Sequence, residues 1–227
     1  MMRILSCLVA PPAFASKECN FDSGYVSGQN AGMIQKKKLS GWSRVAIAID
    51  EVRDRLLRST RILEQAGIPY AVLGGNAVAE WVGRVDKEAV RFTKDVDILL
   101  RREDLEAAKV AMEAGGFIYH ETFKVPMFID GPDGSARSAV NVLFANEIVR
   151  EGDDSATPDI EPFDYSEDDF KVVSLESLVQ MKLTSYRRRD QMHLIDMLDV
   201  GLIDGSWVGK YPSELGDRLQ FLIDNPE

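Results

Sequence analysis

From Trp42 onward, apolar residues return at three- and four-residue steps. Val45, Ile49, Val52, Leu56, Leu57, Ile62 and Leu63 have the spacing of one long amphipathic helix that stops at Gly67. Residues 70–73 form an apolar run too short for a helix, closed by Gly74-Gly75, and read as a buried strand feeding a turn. A short helix over 77–82 follows, then a second strand over 95–100 and a second amphipathic helix over 104–114 ending at Gly115-Gly116. The stretch 117–129, broken by Pro126, and the stretch 138–144 flank a turn at 130–134, which predicts a hairpin. Residues 171–173 add an edge strand, 175–199 are helical with an interruption near Arg189-Asp190, and 213–223 make a last helix.

This order of elements predicts a mixed α/β (α+β) fold, a small mixed β-sheet flanked by helices with a C-terminal helical part. Residues 1–40 are rich in Gly, Ser and Pro, lack sustained periodicity and fall outside the fold; the core is expected over 41–173 and the helical part over 174–227. The first residues have the look of a short secretory signal, Met1-Met2-Arg3 before an apolar run and Ala13-Phe14-Ala15, but the run over 4–10 is short and ends at Pro11-Pro12. A start at Met33 is the alternative. A cytoplasmic protein is expected, with export as the alternative if residues 1–15 act as a signal. No stretch approaches the roughly twenty apolar residues of a membrane span.

Composition then narrows the partners. The 227 residues are 45% hydrophobic and 28% charged, the balance of a soluble globular chain, and the formal net charge is −10. A non-specific nucleic-acid coat is excluded by that sign. The charge is uneven, because 147–169 holds ten acidic residues against Arg150 alone. An RNA partner therefore stays open through a local basic patch, Arg187-Arg188-Arg189 or Lys36-Lys37-Lys38, although both runs also suit a solvated surface. The two cysteines, Cys7 and Cys19, lie near the start and leave the body without a thiolate metal site or disulfide.

Two features carry chemistry. Asp95 and Asp97 are two apart on a strand, so both carboxylates project to one face, where a divalent cation would relieve their repulsion; the bland alternative is a solvated strand end. Gly74-Gly75 sits between a strand and a helix, where backbone amides can approach a phosphate with no Cβ intervening; an ordinary tight turn is the alternative. Neither the Walker spacing nor Gly-x-Gly-x-x-Gly is present.

Taken together, Gly74-Gly75-Asn76-Ala77, Arg91-Phe92-Thr93-Lys94-Asp95-Val96-Asp97 and the later run from Met181-Lys182-Leu183 through Arg189-Asp190 to Asp196 resemble the nucleotidyltransferase superfamily. The form is similar to that of the minimal-core AbiEii-type (MenT-like) toxins, over about residues 70–200. The resemblance implies a polymerase β-like fold and transfer of a nucleoside monophosphate from a nucleoside triphosphate to a hydroxyl of RNA, protein or a small molecule. It implies Mg²⁺ or Mn²⁺ on Asp95 and Asp97, phosphates at Gly74, Gly75 and Asn76, and support from Arg91 and Thr93. Lys182 and Arg189 would reach phosphate, Asp190 would be the later acid and possible base, and an antitoxin is a possible protein partner. Alternatively Lys182 is a snorkelling surface lysine, Asp190 an N-cap and His193 a polar-face residue. The departure is Asn141, which stands where such proteins often place a third carboxylate and is a weaker metal ligand. A catalytically silent nucleotide-binding module of the same fold is therefore the competing reading, and an aminoglycoside- or sugar-modifying enzyme a third.

Overall fold

The computed structural model describes residues 40–226 apart from 123, 124 and 154. Expectations for the preceding tail, its signal-like segment and its basic run lie outside the described residues. Helix α1 (Gly41–Gln65) opens on Ser40, whose hydroxyl accepts from the Ser43 amide, and gives way at Gly67, which takes a left-handed φ of 67°. Its second half supplies Leu56 and Leu63 to the core, with Ser59 and Thr60 returning their hydroxyls to the Leu56 carbonyl. The first half departs from expectation: Trp42 is 86% exposed and Val45 51%, because the stripe continues beyond the body it packs on.

Strand β1 (Ala71–Leu73) leads straight into α2 (Gly74–Gly83), so the diglycine is the first turn of that helix. Then come β2 (Val96–Leu100), a 3₁₀ turn, α3 (Leu105–Ala114), β3 (Phe117–Thr122), β4 (Val125–Asp130) and β5 (Val140–Phe144). Next are β6 (Phe163–Tyr165), β7 (Lys171–Val173), α4 (Leu175–Ser185), α5 (Arg188–Asp199), a 3₁₀ segment over Gly205–Lys210, and α6 (Ser213–Asp224). The seven strands form one mixed sheet in the order β3-β4-β5-β2-β1-β7-β6. Strand β1 is antiparallel to β2 and parallel to β7, and β2 is parallel to β5. This is the mixed α/β class expected from the pattern.

Three local expectations are corrected, and one segment was not predicted. Pro126 does not break the 117–129 stretch; it is the second residue of β4, near the strand's start, and the β3–β4 hairpin turns before it. Strand β7 is interior, since β6, emerging from the acidic segment, pairs outside it with Asp164 opposite Val172. The C-terminal helix is interrupted at Tyr186, which takes φ 41° and ψ 30°, and not at Arg189-Asp190. The 3₁₀ segment before α6 has no counterpart among the predicted elements.

Packing positions the site. Val72, Val96, Leu99, Val140 and Val172 are wholly buried across the central strands. Helix α2 lies on β1 and β2 and also meets α4 and α5, and the Trp81 indole N–H donates to the Val173 carbonyl. Helix α6 packs against α4 and α5, where the Arg218 guanidinium donates to the Leu183 and Thr184 carbonyls at the end of α4. The C-terminal helices are thus held against the helix that begins at the diglycine.

Candidate active site

The end of β1, the start of β2 and the start of β5 converge because of sheet register. Asp97 is opposite Leu73 on one side and Asn141 on the other. Gly74, at φ 71°, follows Leu73 directly, and a Cβ built on it would lie 2.1 Å from Asp97 Oδ2. Only glycine satisfies both the backbone angle and the space. The carboxylate therefore abuts main chain at the N-terminus of α2, where unpaired amides favour anions. Gly75 is crowded in the same way by Thr93, whose Cβ and hydroxyl would lie 2.8 and 2.9 Å from an added Cβ.

The segment before β2 is tied to this turn. The Thr93 hydroxyl accepts from the Asp95 amide at 3.3 Å, and the Asn76 side-chain amide donates to the Asp95 carbonyl at 2.8 Å. Asn76 and Thr93 thus fix where Asp95 leaves the loop and enters the sheet. Asp95 immediately precedes β2, where it was expected to be the strand's first residue. Its charge acts on Asp97, and burial together with that charge pushes the Asp97 carboxyl above its ordinary value. The Asn141 amide, donating to Asp97 Oδ1 at 3.0 Å, opposes this, as do the charges of Lys182 and Arg187.

Lys182, on α4, is buried and pairs with Asp190 at 3.0 Å. This is not a snorkelling surface lysine. Asp190 is 1% exposed and accepts from Lys182, from the Ser185 hydroxyl at 2.7 Å, and from Arg187 through both guanidinium and backbone amide. Burial pushes its carboxyl up, but Arg187, Lys182 and Ser185 together outweigh that and hold it down at about 2. Both oxygens are engaged, which makes Asp190 an anchor for the start of α5 and a poor proton acceptor at neutral pH. Because the helix breaks at Tyr186, Lys182 and Arg189 do not share one continuous helix face. Arg189 nonetheless reaches the first aspartate, 3.5 Å from Asp95 Oδ2, from a largely exposed position. Arg91 is bound by a carboxylate, its Nε 2.7 Å from Asp196 on α5.

The structure thus brings together Gly74, Gly75, Asn76, Thr93, Asp95, Asp97, Asn141 and Arg189, with Lys182 and Arg187 close enough for their charge to be felt at Asp97. Asp190 and Arg91 are engaged one step away, by Lys182 and by Asp196. Sequence reasoning assigned Ser185 and Asp196 no role at the site, and Arg187 only a place in a local basic patch. Asp190, His193 and Asp196 recur at three-residue steps, and that spacing on the buried face of α5 was the available signal.

The donor set fits one hard divalent cation: two carboxylates and a neighbouring amide, with water and phosphate completing the shell. Among the described residues, no three His, Cys, Asp or Glu side chains gather where they could hold a metal. The side chain facing Asp97 from β5 is Asn141 and not a carboxylate, so a second cation would have little to bind it.

No protein-family model and no curated protein matches the sequence. Among solved structures, an antigenic nucleotidyltransferase-like protein from Paracoccidioides brasiliensis is similar over 78% of this chain and 89% of its own, at 16% identity and a TM-score of 0.48. The antibiotic-resistance factor ANT(2'')-Ia in solution matches 82% of this chain and 85% of its own, at 13% identity and a TM-score of 0.39. A crystal structure of ANT(2'')-Ia with adenylyl-2''-tobramycin matches 80% and 95%, at 13% identity and a TM-score of 0.37. Likenesses this distant carry no functional inference. No helix among the described residues is long and apolar enough to cross a membrane.

Proposed function

We propose that this chain is a nucleotidyltransferase of the metal-assisted class. More particularly, it moves a nucleoside monophosphate from a nucleoside triphosphate to an acceptor hydroxyl at the Asp95/Asp97 pair. The observation that carries this is the approach of Asp97 to Gly74, where no side chain separates a half-buried carboxylate from a helix N-terminus. A phosphate received at the same turn would be repelled by that carboxylate unless a cation joins them.

Asp95, Asp97 and the Asn141 amide would hold Mg²⁺ or Mn²⁺, which supplies neutralisation of the triphosphate and of the departing pyrophosphate. The chain's own residues do the positioning. Amides at Gly74 and Gly75 receive phosphate oxygens, Thr93 and Asn76 keep Asp95 in place, and Arg189 adds positive charge at the open side. Lys182, fixed by Asp190, projects its charge toward Asp97 from within the α4–α5 pair. RNA, a protein hydroxyl or a small molecule would serve as acceptor, and the toxin-like motif from Lys182 to Asp196 suits a cytoplasmic toxin with an antitoxin partner.

Incubating the protein with each labelled nucleoside triphosphate, Mg²⁺ or Mn²⁺, and total RNA or cell protein tests the reading. Label reaches an acceptor with the native chain, and the paired change Asp95→Asn with Asp97→Asn lowers transfer by several orders of magnitude, on the order of what loss of electrostatic positioning costs. Undiminished transfer in that variant would end the proposal. A second reading has its own support: the Asn141 N–H already occupies one Asp97 oxygen, as suits a module that binds nucleotide without turning it over. Binding without transfer is its signature.

A further inference from the structure

Helix α1 carries an apolar stripe that its own body covers only in part. From Trp42 through Val45, Ile49 and Val52 to Leu56 the steps are three, four, three and four, the repeat of a seam between two packed helices. Leu56 is buried in the molecule and Ile49 and Val52 are half-buried, whereas Trp42 is 86% exposed and Val45 51%. Small side chains flank the open end of the seam, Ala46 on one side and Ala48 on the other, so a second helix can come close. Where the stripe passes under cover it lines a groove of about 430 Å³ between α1 and α2, with Ile49 and Val52 on one wall and Phe92 and Phe170 further round. The charges of the groove are matched within it: Arg53 pairs with Asp168, Arg84 with Glu80 and Lys87 with Glu167. An ionic ligand finds no net charge there, and an apolar one finds a lined cavity.

The apolar group that suits the groove stands at the exposed end of the same stripe. Trp42 lies about 15 Å along the helix from Val52, at a rise of about 1.5 Å per residue. When two copies of α1 lie antiparallel with their twofold axis level with Ile47, each Trp42 meets the partner's Val52 and each Val45 meets the partner's Ile49. Direction is settled by the body and by charge. From Leu56 onward the stripe is covered, so a parallel helix would collide with the body, whereas an antiparallel one begins at the mouth of the groove. Arg44 and Glu51 share one flank of the seam, and the antiparallel pairing brings Arg44 level with the partner's Glu51, twice by symmetry, across the small Ala48. We propose that the protein forms a homodimer through antiparallel α1 helices, each Trp42 seated in the α1–α2 groove of the other copy. Asn76 and Thr93, which hold Asp95, also line that groove, so the dimer contact and the candidate active site share a wall.

Sedimentation equilibrium of the full chain over a range of concentrations reads the assembly directly, with neither nucleotide nor metal present. The native chain sediments as a dimer, and Trp42→Ala weakens that dimer by roughly thirtyfold or more, as loss of a central interface tryptophan does. Circular dichroism shows the variant folded. Arg44→Glu and Glu51→Arg change exposed side chains, and each alone sets like charges across the seam and weakens the dimer. The two together reverse the pair and restore the native dissociation constant. A monomer at every concentration overturns the inference. So does a dimer that Trp42→Ala leaves intact, or one in which the double charge reversal is no tighter than the single changes. Because the readout is molecular mass, failure of the transfer reaction leaves the dimer standing, and transfer by a monomeric chain removes the dimer and keeps the site.

Discussion

At the level of single residues, the chemistry turns on places where a side chain is missing or unexpected. Gly74 has a left-handed φ of 71° and a neighbour, Asp97 Oδ2, where a Cβ would fall. Gly74→Ala therefore costs about 1–2 kcal/mol from backbone strain alone, before the carboxylate is displaced. Thermal unfolding should show that loss, and nucleotide transfer should fall much further than stability does; an alanine variant with native transfer would mean that the turn does not approach the phosphates. Asn141 tests the opposite change. Asn141→Asp removes the N–H that Asp97 accepts and sets a third negative charge beside two others. Without divalent cation this variant melts below the native chain, and added Mg²⁺ raises its melting temperature more than it raises the native one, because a fuller carboxylate set binds the cation more strongly. Equal Mg²⁺ responses in the two proteins would argue that no cation sits there.

The α4–α5 junction shows how elements are joined through charge. Lys182 and Asp190 are both buried, and the pair gains further hydrogen bonds from Ser185 and Arg187. Lys182→Met leaves Asp190 with its Arg187 and Ser185 partners but strips out one buried cation, whereas Asp190→Asn leaves Lys182 buried with no counter-charge. Asp190→Asn is expected to cost about 3–5 kcal/mol in urea unfolding, the range for leaving a buried charge without its partner, and Lys182→Met less, because Arg187 still neutralises Asp190. The double change should cost less than the sum of the two single changes, since each single change already loses the same Lys182–Asp190 pair and the double change removes the charge that Asp190→Asn leaves unmatched. Strict additivity would show that the two side chains are not coupled. The sequence showed Lys182 and Asp190 as motif residues, but their pairing needs the turn at Tyr186, whose left-handed conformation no periodicity announces.

For the whole molecule, acid stability follows from two groups of opposite type. Asp190 is held at about 2 against 3.8, so its contribution is complete above the unfolded value and is lost as pH falls from 3.8 through 2. His193 is held neutral, at about 4 against 6.5. The unfolded chain binds the extra proton between those values, so stability also falls as pH drops from 6.5 toward 4. Denaturant titrations at stepped pH should therefore show a decline beginning near neutrality, and His193→Gln should flatten the upper part of it while leaving the steeper loss at low pH. A native profile that is flat from 7 to 4 would contradict the buried, neutral ring. Exposed Trp42 and Val45, in the first half of α1, contribute little to this stability within a single chain, unlike buried Leu56 and Leu63.

The linear pattern of apolar residues was enough for the existence of α1, β1, β2, α3 and α6 and for the mixed class of the fold, because burial of one face imposes a period that can be read locally. Strand alternation and the needs of a glycine turn, which act over a few residues, made Asp95 and Asp97 and the diglycine separate candidates, and the motif resemblance put them in one site. Long-range pairing was beyond either. That β6 closes the sheet outside β7, that Asn141 faces Asp97, that Arg91 meets Asp196 and that His193 is enclosed by cations all depend on register and helix docking between distant segments. Those arrangements are set by packing of the whole core, and packing has no signature in the spacing of neighbouring residues.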